Sequence, residues 1–525
     1  MHLMRTVSLR TAPARCSVLV AVLALALALA SCSGDDSSRS ADPEPPGGDS
    51  VPPEVAAAAD DWPVAGRDYR NTRAVPESGI TTATVEQLDV KWRAPLEGFG
   101  SVGNAATTPL ILGDRVVVQS LDSTVRVFDR TNGEMQWERT VEGGINIGPN
   151  GVAVGYGRVY ATKGMQEVFA LALESGEELW STEVVDTETA GIDIQPQVAD
   201  GLVLVSTVPV SLGGIYTGGD RGMLVALDAD TGEEVWRFDT VEGGEELWGN
   251  PNVNSGGGAW YTPTVDVDAG IVYWGIANPA PFPGTEEFPN GSSRPGPNLY
   301  TDSVVALDLR SGELLWYRQV FPHDLLDRDH VHTMLVDTPD GTTLVSTGKG
   351  GIVFGHDVET GEILWETPVG IHRNDDLRKL EGPTDVWPGT YGGVLTPPSS
   401  ADGVVYVATL NAPTEMSPDV TRYIGSELGT APGEVAAVDA ENGELLWSTE
   451  VAGDPLGGAT VIGDLVFTAT YQGRIYALAR ATGEIVWEFE APGGINGWPA
   501  LAGDLLIWPI GMSDPAMLLA LTPKG

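Results

Sequence analysis

One short pattern returns along most of this chain and restricts its fold more than any other feature: two or three apolar residues, usually an Asp, a tight turn, Gly-Glu and then Trp. Seven copies are plain. They are Val127–Trp137 (VFDRTNGEMQW), Ala170–Trp180 (ALALESGEELW), Ala226–Trp236 (ALDADTGEEVW), Ala306–Trp316 (ALDLRSGELLW), Gly355–Trp365 (GHDVETGEILW), Ala437–Trp447 (AVDAENGELLW) and Ala477–Trp487 (ALARATGEIVW). Each reads as a β-hairpin. A strand ends at the Asp, whose carboxylate caps turn amides, the glycine supplies the positive φ a tight turn needs, and a second strand carries the Trp. That Trp is large enough to plug the gap between neighbouring sheets.

Further apolar strands lie between the hairpins, at 113–119, 157–161, 403–408 and 463–468. Four strands per repeat make a propeller blade. The 66 glycines and 37 prolines suit many short strands better than helices. After Trp487 three strands follow, near 497–501, 505–510 and 517–521, with no closing hairpin. The missing outer strand is expected to be Leu88–Trp92, which would close the ring and remove its exposed edges. The expected fold is therefore all-β, an eight-bladed β-propeller of four-stranded antiparallel blades, with seven blades as the alternative count. Long insertions, at about 245–300 and 371–432, are expected to wall the top face.

Arg5, Arg10 and Arg15 precede an apolar run from Val18 to Ala30, followed by Ser31 and Cys32. The run is shorter than the roughly 20 apolar residues that span a bilayer, so it reads as an export signal. Leu29-Ala30-Ser31-Cys32 resembles the bacterial lipobox, whose cysteine receives diacylglycerol and becomes the mature N-terminus. Residues 1–31 are then a lipoprotein signal peptide. Residues 32–60, rich in Ser, Asp, Pro, Gly and Ala, are expected to be a disordered tether bearing lipidated Cys32, and residues 61–525 the propeller. The expected location is the extracytoplasmic side of the cell membrane, periplasmic or outer, with membrane contact through the lipid alone. Cys16 lies in the signal, so the mature chain keeps one cysteine and no internal disulfide. C-x-x-C-H is absent, so no attached c-type haem is expected. A formal net charge of −44 repels phosphate backbones, which argues against nucleic acid as a partner.

Several local segments go beyond the repeat. They are Trp62-Pro-Val-Ala-Gly-Arg-Asp-Tyr-Arg-Asn-Thr-Arg73, Gly256-Gly-Gly-Ala-Trp260, Val272-Tyr-Trp-Gly-Ile-Ala-Asn278-Pro-Ala-Pro-Phe282, Pro322-His-Asp-Leu-Leu-Asp327-Arg-Asp329 and Lys349-Gly-Gly-Ile-Val-Phe354. With the repeats, they resemble the quinoprotein alcohol dehydrogenases, which use pyrroloquinoline quinone (PQQ), and the likeness covers about residues 62–525. The resemblance implies PQQ-dependent oxidation of an alcohol or related hydroxy compound, with hydride passing to the quinone. It implies Trp260 as the aromatic floor under the quinone, Lys349 as the cation pairing with it, and Asp327 as the base. Asn278, Asp327 and Asp329 would be the metal ligands. Asp329 looks like the additional carboxylate of the lanthanide-using members, so the implied ion is calcium or a lanthanide. The implied partners are a small alcohol and a separate electron acceptor.

The chain departs from the family at Asn150-Gly151, where adjacent cysteines are usual, near Thr217, where a metal-binding glutamate is usual, and near Leu456-Gly457-Gly458, where a second Trp is usual. Asp193 or Asp220 could supply the lost carboxylate. The same repeat also builds non-catalytic scaffolds, so the alternative is a propeller lipoprotein acting as an assembly scaffold, sensor or binding module. His323, His330 and His332 have only loosely metal-like spacing, without the thiols of a zinc site.

Overall fold

The glycine of each repeat turn lies against the tryptophan of the preceding blade, and this contact sets the spacing of the ring. The structure, a computed structural model, describes residues 50–96, 103–146, 148–210, 220–419 and 428–524. A Cβ on Gly133 would sit 2.7 Å from the Trp92 ring, on Gly176 2.7 Å from Trp137, on Gly232 2.6 Å from Trp180 and on Gly312 2.6 Å from Trp236. Gly361, Gly443 and Gly483 repeat the arrangement with Trp316, Trp365 and Trp447. The indole N–H groups donate across the same gap, Trp92 to the Arg130 carbonyl at 3.0 Å and Trp236 to the Leu309 carbonyl at 2.9 Å. The turn carboxylates act as caps: Asp228 Oδ1 accepts the backbone N–H of Asp230 and of Thr231.

There are eight four-stranded blades. Their first and last strands are Leu110–Leu112 and Met135–Arg139 (blade 1), Val152–Gly155 and Glu178–Glu183 (blade 2), and Gln197–Ala199 and Glu234–Asp239 (blade 3). Thr264–Asp266 to Leu314–Gln319, His332–Thr338 to Ile363–Pro368, and Ser399–Ala401 to Leu445–Val451 bound blades 4 to 6. Blade 7 runs from Thr460–Ile462 to Ile485–Glu490. Blade 8 takes Ala500–Ala502, Leu505–Ile510 and Ala516–Pro523 from the end of the chain and Leu88–Leu96 from its beginning. That last pair is antiparallel, from Leu88 opposite Pro523 to Leu96 opposite Ala516, so the expected closing strand is the observed one.

The segment Trp62–Arg73 belongs to no blade, and the two residues after it, Ala74–Val75, add a short parallel strand to the inner edge of blade 7. The segment runs beneath the ring and ties the inner strands together. Trp62 pairs with Ile111 of blade 1, the Tyr69 hydroxyl donates to the Val198 carbonyl of blade 3, and the carbonyls of Tyr69, Arg70, Thr72 and Arg73 accept from Val265, Leu335, Ser400 and Val461 of blades 4 to 7. Six inner strands therefore share one strap, which accounts for a sequence segment that the repeat does not explain.

The tether expected to reach residue 60 gives way to folded chain earlier. A short helix, Pro53–Ala57, buries Val55 against the propeller, and the Glu54 carboxylate accepts the Gly157 backbone N–H. Above the ring, insertion strands Ser255–Gly256 and Pro279–Ala280 pair, as do Thr384–Val386 and Thr414–Met416. The segment expected to be a signal peptide, and Cys32, lie outside the described residues.

Candidate active site

The two insertions enclose a cavity of about 250 Å³ over the inner strands. Its walls hold Trp260, Asn278, Asp327, Asp329 and Lys349 together with Asp193. All five residues expected from the sequence therefore converge, although Trp260 precedes blade 4, Asn278 follows the second strand of that blade, Asp327 and Asp329 lie between blades 4 and 5, and Lys349 sits in a turn within blade 5.

The 322–329 loop is shaped by Asp324, whose carboxylate accepts the backbone N–H of Leu326 at 3.0 Å and of Arg328 at 2.9 Å. Arg294, fully buried, donates to the Asp324 carbonyl at 2.6 Å and to the Pro281 carbonyl at 3.0 Å, which ties this loop to the Asn278 strand end. Asp327 (φ 60°) and Asp329 (φ 29°) both occupy the left-handed region, where an Asp costs less than most residues but still stores strain. Leu325 and Leu326 pack beneath Leu380, Val386 and Met416 of the second insertion and hold the loop in that shape.

Lys349 Nζ lies 3.2 Å from each Asp327 oxygen and 2.5 Å from Asp329 Oδ2. It also stands 5.6 Å from the centroid of the Trp260 ring. Asp329 Oδ1 accepts the Asn278 backbone N–H at 3.0 Å, so one carboxylate joins two of the expected residues. Burial raises the Asp327 carboxyl well above the usual range, Asp329 adds to the rise, and Lys349 opposes it. Behind them Asp302 is buried with neither oxygen hydrogen-bonded, and burial drives its carboxyl far up as well, toward a neutral acid.

Trp260 is backed by an aromatic stack that the repeat pattern did not reveal. Its ring centroid lies 4.7 Å from Tyr261, which lies 4.1 Å from His332 and 5.6 Å from Trp498. Apolar cover comes from Val208, Ala277, Phe282 and Leu395. On the cavity wall Asp193 keeps Oδ1 buried without a partner, and burial pushes its carboxyl up to about 8. Asp220, the other candidate carboxylate, instead accepts from the hydroxyls of Thr187 and Thr189.

The chain matches two family models. One, described as "Glucose/ethanol/alcohol dehydrogenase, beta-propeller domain", matches residues 182–373, the stretch that carries every residue of this cavity from Asn278 to Lys349. The other, "Outer membrane protein assembly factor BamB", matches 80–191 and 431–510. The quinohemoprotein alcohol dehydrogenase of Comamonas testosteroni is 26% identical over 493 residues, covering 80% of this chain and 67% of that one. The chain is thus similar to the PQQ-dependent alcohol dehydrogenases. Quinohemoprotein alcohol dehydrogenase ADH-IIG of Pseudomonas putida, another relative, is 27% identical over 58% of this chain, which spans 45% of its length. The crystal structure of the Comamonas enzyme superposes with a TM-score of 0.76 at 23% identity, covering 90% of this chain and 82% of that one.

The three departures from the resemblance resolve differently. The Thr217 position lies outside the described residues. A Cβ on Gly458 would meet Trp498 Cδ1 at 2.9 Å, so where a second Trp is usual the space is filled by an indole from blade 8. Asn150 is buried and donates to the Gln119 carbonyl at 3.4 Å. The three histidines do not converge on a metal. His323 contacts the Gly296 carbonyl, His330 the Ser346 hydroxyl, and His332 stacks on Tyr261.

The residues present fit a planar anionic cofactor, with an aromatic face, a buried ammonium and apolar walls. They also offer hard oxygen donors to a cation. Asn278, Asp327 and Asp329 line the same cavity, and the Asn278 side-chain nitrogen is buried without a partner there. Among the described residues no three His, Cys, Asp or Glu side chains form a metal cage on their own, so any ion here shares its carboxylates with Lys349.

Proposed function

We propose that this chain oxidises an alcohol or related hydroxy compound with PQQ held against Trp260, on the extracytoplasmic face of the membrane. The observation that carries this reading is the convergence of Trp260, Asn278, Asp327, Asp329 and Lys349 on one cavity. When bound, the o-quinone supplies a two-electron acceptor for the hydride of the alcohol.

The chain's own residues supply the rest. Trp260 offers a flat face for stacking, and Lys349 pairs with the anionic edge of the ring system. Asp327 takes the alcohol proton, since a carboxyl raised by burial has a pKa nearer the working pH than a solvated one. Asn278, Asp327 and Asp329 would hold a calcium or lanthanide ion, with Asp193 as a further carboxylate on the same cavity. Phe282 and Leu395 keep water from the reacting atoms. Lipidated Cys32 and the polar residues after it tether the propeller outside the cell membrane, and a separate carrier removes the electrons.

Reconstitution tests the reading. The full chain incubated with PQQ and either calcium or lanthanum should gain quinone absorbance and dye-linked alcohol oxidation; if neither appears, it is not an enzyme of this kind. A second reading, a non-catalytic scaffold lipoprotein, is favoured by the Lys349 ammonium already satisfying both carboxylates and by the assembly-factor model matching the flanking blades. It predicts a chain that binds no quinone under the same conditions.

A further inference from the structure

Beneath the aromatic stack, on the side away from the candidate active site, lies a second and smaller cavity of about 40 Å³. Its lining includes Arg73, Thr108, Tyr261, His332 and Trp498, each at most 7% exposed. Arg73 comes from the strap that crosses the inner strands. Its guanidinium is fully buried, yet every partner it has is neutral. Nη1 donates to the Ala65 carbonyl at 3.0 Å and the Thr108 hydroxyl at 3.1 Å, and Nη2 reaches the Thr460 hydroxyl and the Pro499 carbonyl at 3.4 Å each. The face of Trp62 lies 5.5 Å away. No carboxylate among the described residues forms an ion pair with it.

A buried charge without a counter-charge is among the costliest features a fold can carry. The orphaned atoms around the cavity indicate what would relieve it. Arg73 Nε and Trp498 Nε1 are both buried N–H donors with no acceptor. The unpaired acceptor nearby, Asn71 Oδ1, is turned against Gly66. The cavity therefore has unused donors and a net positive charge, in a volume that admits one or two water-sized particles. Water could satisfy the N–H groups but leaves the charge uncompensated.

We propose that this cavity is a structural site for a single halide-sized anion, chloride in most media, held by Arg73 Nε–H and Trp498 Nε1–H. The ion would neutralise the strap's guanidinium and lock Trp62–Val75 to the inner strands, stiffening the aromatic stack from below. Burial lowers the Arg73 pKa to about 9, which leaves the group charged at neutral pH and the need for a counter-ion intact. Neither Arg73 nor Trp498 lines the candidate active-site cavity, and the anion site stands whether or not a quinone binds.

Crystals of the full chain grown in sodium bromide, measured at the bromine absorption edge, test this directly. One anomalous peak is expected within hydrogen-bond reach of Arg73 Nε and Trp498 Nε1. Density there without anomalous signal would mean water and would overturn the proposal. In solution, the thermal midpoint should rise more in potassium bromide or chloride than in potassium gluconate at equal ionic strength, a comparison that removes the general screening an acidic protein gains from any salt. Equal midpoints in the two salts would also overturn it. Arg73→Met should abolish the halide-specific shift. Should that variant not fold, Trp498→Phe keeps the ring and removes one donor, and it must reduce both the shift and the bromide peak; an undiminished response would refute the assignment.

Discussion

Lys349 stands between two carboxylates, 2.5 Å from Asp329 and 3.2 Å from Asp327, with all three side chains at most 7% exposed. One positive charge is thus shared by two acids, and the cluster is balanced only if one of them holds a proton or a further cation enters.

Lys349→Met removes the one cation that, among the described residues, forms an ion pair with Asp327 and Asp329. Two buried carboxylates without a partner should cost about 3–5 kcal/mol of stability. Chemical denaturation of the cation-free protein checks this, and an unchanged midpoint would mean that the cluster is solvated. Added calcium or lanthanum should restore part of the loss in the variant, because the ion replaces the missing charge.

Asp327→Ala tests the proposed base. Lys349 keeps Asp329 as its partner, so the fold should survive with near-native circular dichroism, while turnover of the reconstituted protein falls on the order of 10²–10⁴-fold, the usual worth of a positioned base. Retained turnover would move the proton to another group, and Asp193 on the same cavity would be the next to test.

Much of the fold was legible because the hairpin pattern records a contact between neighbours. Each Gly-Glu turn meets the Trp one blade earlier, so sequence periodicity and spatial periodicity coincide, and even the closing strand Leu88–Leu96 could be placed by counting what blade 8 lacked. The site was legible only in part. Trp260, Asn278, Asp327, Asp329 and Lys349 sit in distinctive local segments. The stacking role of Tyr261 and Trp498 was not visible, since it arises from blades distant in sequence meeting over the inner strands, and Asp193 was named only as one of two alternatives with Asp220. The strap was visible as a segment foreign to the repeat, but nothing local in Trp62–Arg73 indicates that it reaches the inner strands of six blades, five through its backbone and one through the Tyr69 hydroxyl. The helix at Pro53–Ala57 escaped notice because its one buried apolar residue, Val55, lies in an otherwise tether-like composition.

Gly312→Ala should separate the two demands made on a repeat glycine. Its φ of 69° disfavours any L side chain, and the added Cβ would meet the Trp236 ring at 2.6 Å. Gly270, with φ of 68° and nothing within 4 Å of its would-be Cβ, carries the first demand alone. Gly270→Ala should cost about 1 kcal/mol from backbone strain, and Gly312→Ala a further 1–3 kcal/mol or so from displacing the indole. Equal losses in thermal denaturation would show that the tryptophan yields freely.

Asp193 sets a pH dependence whose sign can be worked out. Burial raises its folded carboxyl from 3.8 to about 8. Between those values the folded protein holds a proton at this site that the unfolded chain has released, so the unfolded state binds fewer protons and stability falls as pH rises. The contribution is neutral below the unfolded value and is lost in full above about 8. Asp193→Asn removes the titrating group while keeping the shape, so the difference in unfolding free energy between variant and parent should grow from pH 4 to pH 8 and then level off. Measurements belong in the cation-free protein with chelator present, because an ion bound beside Asp193 would favour the carboxylate and cancel the slope. A constant difference across that range would mean that the carboxyl is solvated and already ionised in the folded state.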